Sequence, residues 1–175
     1  MALFDKCLKV IFTHEGRYSN DPDDPGGETM YGISLRFLKG LDLADADIDH
    51  DGNIDGDDIK AMTIPEASKL YKKYFWDKMN LNVVPIDLLT LHLFDMGVNT
   101  GTKTAIKLLQ RILDVTDDGI LGRDTLTALL NWDAEDVLES YIAARFNYYN
   151  AIMIKNPRLA KYKKGWFNRI TTTKF

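Results

Sequence analysis

The chain has 175 residues, 45% of them apolar, and a formal charge of −4. That is enough apolar material for one domain or two small lobes sharing a core, and the lone Cys7 excludes an internal disulfide. No run reads as a membrane span, and the first six residues lack the basic and apolar regions of a secretory leader, so a chain that starts at Met1 is expected to leave the cytoplasm by another route or only on lysis.

Charge is unevenly placed. Residues 42 to 58 hold eight Asp and no Lys or Arg; with those eight set aside the charge becomes +4. From Ser140 to Phe175 there are eight Lys or Arg and no Asp or Glu. A mildly basic body with one acidic loop suits attraction to an anionic polymer such as a cell wall. No nucleic-acid motif accompanies the basic end, which argues against a nucleic-acid partner.

In chain order, Phe4, Cys7, Leu8, Ile11 and Phe12 recur at helical spacing and predict a helix over residues 2–15, ended by Gly16. Residues 17–31 read as a loop punctuated by Pro22, Pro25, Gly26 and Gly27, with room for short strands. A short helix is expected from Ile33 to Leu38. After the acidic loop, Thr63-Ile64-Pro65-Glu66 reads as a capping box opening a helix to about Met79. Helices follow over 86–98, 102–113 and 124–130. Asp133 caps a long helix to about Ile154, and Pro157 starts a last segment to Ile170. Thr171 to Phe175 looks frayed. The fold class is mainly α.

Asp47-Ile48-Asp49-His50-Asp51-Gly52-Asn53-Ile54-Asp55-Gly56-Asp57-Asp58 has the spacing of an EF-hand-type calcium loop. Asp47, Asp49, Asp51, Asp55 and Asp58 fall at positions 1, 3, 5, 9 and 12, and Gly52 at position 6 permits the sharp turn. Asn53 would offer its backbone carbonyl. Asp58 replaces the usual Glu and is one methylene shorter. Without a cation these carboxylates repel one another. A single hand suggests a structural calcium ion rather than a paired sensor; a calcium-responsive interaction module is a further functional alternative.

Glu15 ends the first predicted helix and faces a loop with further carboxylates, Asp21, Asp23, Asp24 and Glu28. A helix C-terminus disfavours negative charge, which suits a group that must carry a proton to a leaving oxygen. A second carboxylate nearby would stabilise positive charge at a sugar carbon or activate a water. Thr29 and Tyr31 are candidates to hold a water or line a sugar subsite. Asp95, Asn99, Tyr148, Tyr149 and Trp166 are candidates for contact in the second half. His14 and His92 lack metal-ligand spacing and read as structural.

The stretch from Glu15 to Ile33 resembles the N-terminal signature of glycoside hydrolase family 108, lysozyme-like N-acetylmuramidases, some of them labelled secretion activator proteins. It matches at Glu15, Gly16, Tyr18, Asn20, Asp21, Pro22, Asp24, Pro25, Gly26, Gly27, Thr29, Gly32 and Ile33, and departs at Arg17 and Met30. Phe94 to Gly101, Ala105 to Leu113, Asp118 to Gly122 and Gly165 to Arg169 are similar to that family's peptidoglycan-binding region.

The resemblance implies a lysozyme-like α-helical fold carrying the calcium loop as an insertion. A catalytic lobe would span 1–90, a peptidoglycan-binding lobe 91–170 and a flexible tail 171–175. Glu15 would be the catalytic acid, with Tyr18, Asn20, Thr29, Tyr31 and Asn99 the substrate contacts; for its partner Asp24, nine residues on within the same loop, is preferred to Asp21. The reaction would be hydrolysis of the β-1,4 bond between N-acetylmuramic acid and N-acetylglucosamine. The partner would be peptidoglycan, at the cell wall or periplasm, with no integral membrane contact and a monomer expected. The alternative is a non-catalytic wall-binding or secretion-regulating protein on the same fold.

Overall fold

Helix α1, Leu3–His14, forms where the apolar spacing predicts it and buries Cys7, Leu8 and Ile11. Burial pushes the Cys7 thiol up to about 12, as expected of a core cysteine. The computed structural model describes residues 1–20 and 27–175. Its contacts separate into two compact units, Leu8–Tyr74 and Met1–Cys7 with Phe75–Phe175. Among the described residues no helix is long and apolar enough to cross a membrane.

The unit of residues 8–74 is built on a small hairpin. Strands β1 (Thr29–Met30) and β2 (Ile33–Ser34) pair antiparallel, Thr29 opposite Ser34 and Met30 opposite Ile33. Ser19 extends the pairing through two backbone bonds with Thr29, of 2.9 and 2.8 Å. The helix predicted from Ile33 therefore starts later. Ile33 and Ser34 belong to the ladder, and α2 (Leu35–Leu38) begins once the Ser34 hydroxyl accepts from the Phe37 amide. Short helices α3 (Leu43–Ala46) and α4 (Gly56–Ala61) flank the acidic loop. Helix α5 (Ile64–Tyr71) opens as predicted, the Glu66 carboxylate accepting from the Thr63 amide at 2.7 Å and its hydroxyl at 2.8 Å. Ile33, Leu38, Ile59, Leu70 and Tyr71 form much of this unit's core.

The helix expected to run on to Met79 changes type: Lys72–Asp77 is a π-helix. The burial pattern gives the reason. An α-helix would turn Tyr74 or Phe75 inward after Tyr71, yet both are only half-buried and Trp76 is fully buried. The extra residue per turn brings the largest ring of the segment inside.

In the other unit, Phe4, Trp76 and Phe94 form an aromatic cluster with centroid spacings of 5.3 to 6.1 Å. Helix α6 (Asp87–Thr100) is buried without interruption from Leu89 to Gly97, the mark of a central core helix. It packs on α7 (Thr102–Ile112) and α9 (Ala134–Lys155). Helix α8 (Arg123–Leu130) lies between them in sequence. Asp133 caps α9 by accepting from the Glu135 and Asp136 amides. After a 3-10 segment, Pro157–Tyr162, comes α10 (Lys163–Thr172). The chain end is better held than its composition suggests: Thr171 and Thr172 complete α10, and Thr173 is buried, its hydroxyl donating to Arg169 O at 2.7 Å.

His92 on α6 is buried, and its Nδ1 lies 2.6 Å from Arg145 Nη1 on α9. Because a guanidinium only donates, Nδ1 is the acceptor and the imidazole proton sits on Nε2. Burial first, and the Arg145 charge second, lower the His92 pKa to about 4. The unfolded chain therefore takes up a proton near pH 6.5 that the folded chain refuses until about pH 4. The stability due to neutral His92 is complete above pH 6.5 and is lost as pH falls toward 4, a drop of about 3 kcal/mol in total. Urea titrations between pH 7 and 4 should show it, and His92→Gln should flatten the profile. An unchanged slope in the variant would place the acid sensitivity elsewhere.

Candidate active site and acidic loop

Glu15 sits one residue past α1, its amide still bonded to Ile11 O at 3.0 Å, so the helix axis aims it. Its side chain lies against the hairpin turn. Tyr31 and Gly32 both have left-handed backbones, φ 51 and 79°, the signature of a two-residue type I′ turn. Such turns favour Asn-Gly, so Tyr31 is held there by its surroundings. Its ring packs on Phe12 (5.9 Å), Phe12 packs on Tyr71 (5.8 Å), and the Tyr71 hydroxyl donates to Tyr31 O at 3.0 Å.

Gly32 serves a second purpose. A Cβ there would lie 2.6 Å from Glu15 Cγ and 2.8 Å from Glu15 Cδ, and would overlap the Tyr71 hydroxyl. The carboxyl arm of Glu15, the Tyr71 phenol and the turn thus converge within van der Waals distance. Tyr71 carries no sequence signal of its own; only the fold brings it here. We expect Gly32→Ala to push Glu15 off this position and cost about 2–4 kcal/mol, from the φ penalty together with the overlap. Thermal unfolding should report the loss; a variant as stable as the wild type would mean that the turn yields freely.

The other expected site residues fall as follows. Tyr18 is 44% exposed. The Asn20 amide donates to Glu28 Oε1 at 3.3 Å, and the Thr29 hydroxyl donates to Gly27 O at 3.2 Å. Tyr18, Asn20, Thr29, Tyr31 and Glu15 all belong to the unit of residues 8–74. Asp21, Asp23 and Asp24 lie outside the described residues. Asn99 belongs to the other unit, where its Oδ1 accepts from the Tyr149 hydroxyl at 2.6 Å.

Three candidates for sugar contact are corrected by burial and packing. Asp95 is fully buried within α6, ion-paired with Arg145 and, at 2.8 Å, with Arg169. Tyr149 is buried and stacks on Trp166 at 4.8 Å and 20°. Trp166 lies between Tyr149 and Tyr162. Their aromatic faces are used in packing α9 on α10. Tyr148 lines an open groove of about 480 Å³ between α7 and α9.

In the acidic loop, the carboxylates of Asp47, Asp49 and Asp58 offer oxygens within 4.8 Å of one another and could hold a metal ion. Asp58 is 1% exposed, and its two oxygens accept from the Ile48 amide (2.6 Å) and the Asp55 amide (2.7 Å). Asp47 accepts from the amides of Asp51 and Gly52 at 3.1 and 3.0 Å. Gly52 takes the left-handed turn, φ 91°, that its position demands. Desolvation, together with the neighbouring charges of Asp51, Asp58 and Asp47, raises the Asp49 pKa. A set of carboxylate oxygens alone fits a hard cation.

Asp51 and Asp55 are not members of that triad. Asp51 accepts from the Asn53 amide at 2.8 Å, and Asp55 caps α4 by accepting from the Asp57 amide at 2.8 Å. Glu28, just before β1, reaches the start of α4: a Cβ on Gly56 would lie 2.8 Å from its buried Oε2, which has no hydrogen-bond partner among the described residues.

Glycoside hydrolysis needs a pair of carboxyl groups flanking the scissile bond, and a helix-end carboxyl set on a hairpin can supply one of them. The chain belongs to the glycosyl hydrolase 108 family, which matches residues 8–101, and residues 104–171 match the predicted peptidoglycan domain. Its fold is similar to the structure of Brucella abortus SagA, with a TM-score of 0.80 at 27% identity over 97% of this chain and 90% of that one. No curated protein sequence matches the chain.

Proposed function

We propose that the protein is a peptidoglycan hydrolase that cleaves the β-1,4 bond between N-acetylmuramic acid and N-acetylglucosamine, with Glu15 as general acid. The observation that carries this reading is the convergence of Glu15, the Tyr31–Gly32 turn and Tyr71. It sets one carboxyl on a rigid helix end with its direction fixed by packing, as proton delivery to a leaving oxygen requires. Asp24, nine residues further along, is the proposed second carboxylate, and Tyr18, Asn20, Thr29, Tyr31 and Asn99 are the proposed substrate contacts. Family membership and the peptidoglycan-domain match support the choice of wall polymer as substrate. The test is mass spectrometry of fragments released from purified peptidoglycan. Products ending in reducing N-acetylmuramic acid are expected; a glycan left intact, yet bound, would favour the non-catalytic wall-binding alternative.

Calcium is the proposed occupant of the acidic loop, in a structural role, with Asp47, Asp49 and Asp58 as the core of its ligand set; the loop spacing proposes Asp51, the Asn53 carbonyl and Asp55 as further ligands. An ion that binds only the folded chain adds about 2.7 kcal/mol at a hundredfold excess over its Kd. Millimolar calcium should therefore raise the melting temperature and a chelator should lower it. Asp49→Asn is the informative variant, because among the described residues Asp49 contributes one long bond, 3.3 Å from the Asp51 amide, to the loop itself. A melting temperature indifferent to calcium in the wild type would refute the assignment.

A further inference from the structure

A cavity of about 420 Å³ lies between the C-terminal end of α7 and the start of α8, wholly within the segment that matches the predicted peptidoglycan domain. Its base is rigid. Gln110 is 1% exposed and both ends of its amide are in use: the two Nε2 protons are shared among Asp118 Oδ1 (2.7 Å), Ile120 O (3.0 Å) and Thr125 Oγ1 (3.1 Å), and Oε1 accepts from the Gly119 amide (2.8 Å). One buried side chain thereby fixes the whole 118–120 turn, so the wall of the cavity is set before anything enters it.

The charges around it are of both signs. Asp114, Arg123 and Asp124 line the cavity and make no side-chain hydrogen bond or ion pair among the described residues. Nearby Asp117, which does not line it, is paired with Arg111 at 2.6 Å. Asp118 joins the lining with its charge supported by Gln110 and the Ile120 amide. Asp114 also occupies a position that does not suit it. It ends α7 with a left-handed backbone, φ 55°, and with the Val115 amide bonded to Gln110 O at 3.1 Å, the place in a helix-ending motif where glycine is the usual residue. A strained, unpaired carboxylate beside a cavity is more useful to a ligand than to the fold.

No aromatic ring lines the cavity, so it lacks the flat face on which a sugar would stack. Ile120, 63% exposed, supplies an apolar contact at its rim. Three carboxylates and one guanidinium call for a ligand with an amine in excess and a carboxylate, and the volume suits a short peptide. We propose that this cavity is a stem-peptide subsite, taking the amine-bearing diamino-acid end of a peptidoglycan stem peptide, with its ammonium toward Asp114, Asp118 and Asp124 and its carboxylate toward Arg123. The inference rests on the reading of the chain as a wall-acting protein, and it names the part of the wall that the second unit holds.

The test titrates the full chain with a soluble stem peptide whose diamino acid has a free side-chain amine, and with the same peptide acetylated there. Retention on intact peptidoglycan is compared with retention on glycan stripped of its stem peptides. Acetylation should weaken binding about tenfold or more, the scale of one lost charge contact. Arg123→Gln and Asp124→Asn should each weaken binding severalfold and bring retention on intact wall toward that on stripped glycan. Asp114→Gly should do the same with an unchanged or raised melting temperature, since glycine suits that backbone; loss of the fold cannot then explain the loss of binding. All three variants should cleave peptide-free glycan oligomers as fast as the wild type does. A wild type that cleaves no glycan but binds the peptide would sink the hydrolase reading alone. Equal affinity for the free and acetylated peptides, no saturable binding of either, or wild-type affinity in Asp114→Gly would overturn the subsite.

Discussion

Glu15→Gln should lower the rate of reducing-end release from peptidoglycan by about 10²–10⁴-fold or more, the range attached to a positioned general acid. The substitution keeps the shape of the side chain. The contact with Gly32 and the neighbouring Tyr71 hydroxyl therefore survives, and what disappears is a transferable proton. Stability should change by less than about 1 kcal/mol, as for a partly exposed side chain replaced by one of equal size. Binding to whole wall should persist, because the peptidoglycan-domain match lies in residues 104–171. Rate, melting temperature and wall sedimentation measured on one preparation separate these effects. Hydrolysis at the wild-type rate would remove Glu15 from the chemistry and with it the proposed mechanism.

Asp95→Asn carries the largest expected cost in stability, about 3–5 kcal/mol. Asp95 is the only acid that the described ion pairs place among Arg145, Arg169 and His92, and its oxygens receive Arg145 Nη2 and Arg169 Nε, with the Thr173 hydroxyl oxygen 3.4 Å away. Arg145 is itself fully buried and its Nε has no hydrogen-bond partner among the described residues, so this cluster is already under-satisfied. Removing the negative charge strands two guanidiniums in a region where charge is poorly solvated. Against a total stability of about 5–15 kcal/mol for a domain, such a loss should be plain in chemical denaturation. Arg169→Met should cost less, because Asp95 then keeps Arg145. An Asp95→Asn protein within about 1 kcal/mol of the wild type would show that the cluster relaxes or admits water.

Features with a local cause were legible in the chain itself. The Thr63–Glu66 box, the Asp133 cap and the end of α1 depend on residues within one helical turn, and each is found where its spacing puts it. The alternate aspartates of residues 47–58 bring three carboxylates together because the loop is only twelve residues long and Gly52 turns it. The motif around Glu15 was equally visible, and with it the family.

What the chain alone could not reveal has partners far away in sequence. Tyr71 reaches Tyr31 across forty residues, and Asp95 meets Arg145 fifty residues on. A buried aspartate on α6 therefore read as a cleft residue, and Tyr149 and Trp166 as sugar platforms, when their charges and rings are spent on one another. The π turn at Lys72–Asp77 exists to bury Trp76, which no local propensity demands. Short-range hydrogen bonding and ligand spacing are written in adjacent residues, so the mainly α class, the acidic loop and the glutamate at the helix end can be read from the chain alone. Which carboxylates are paired, which aromatic rings are buried and which charges stand unpartnered around a cavity depend on desolvation by distant segments, which come together only on folding.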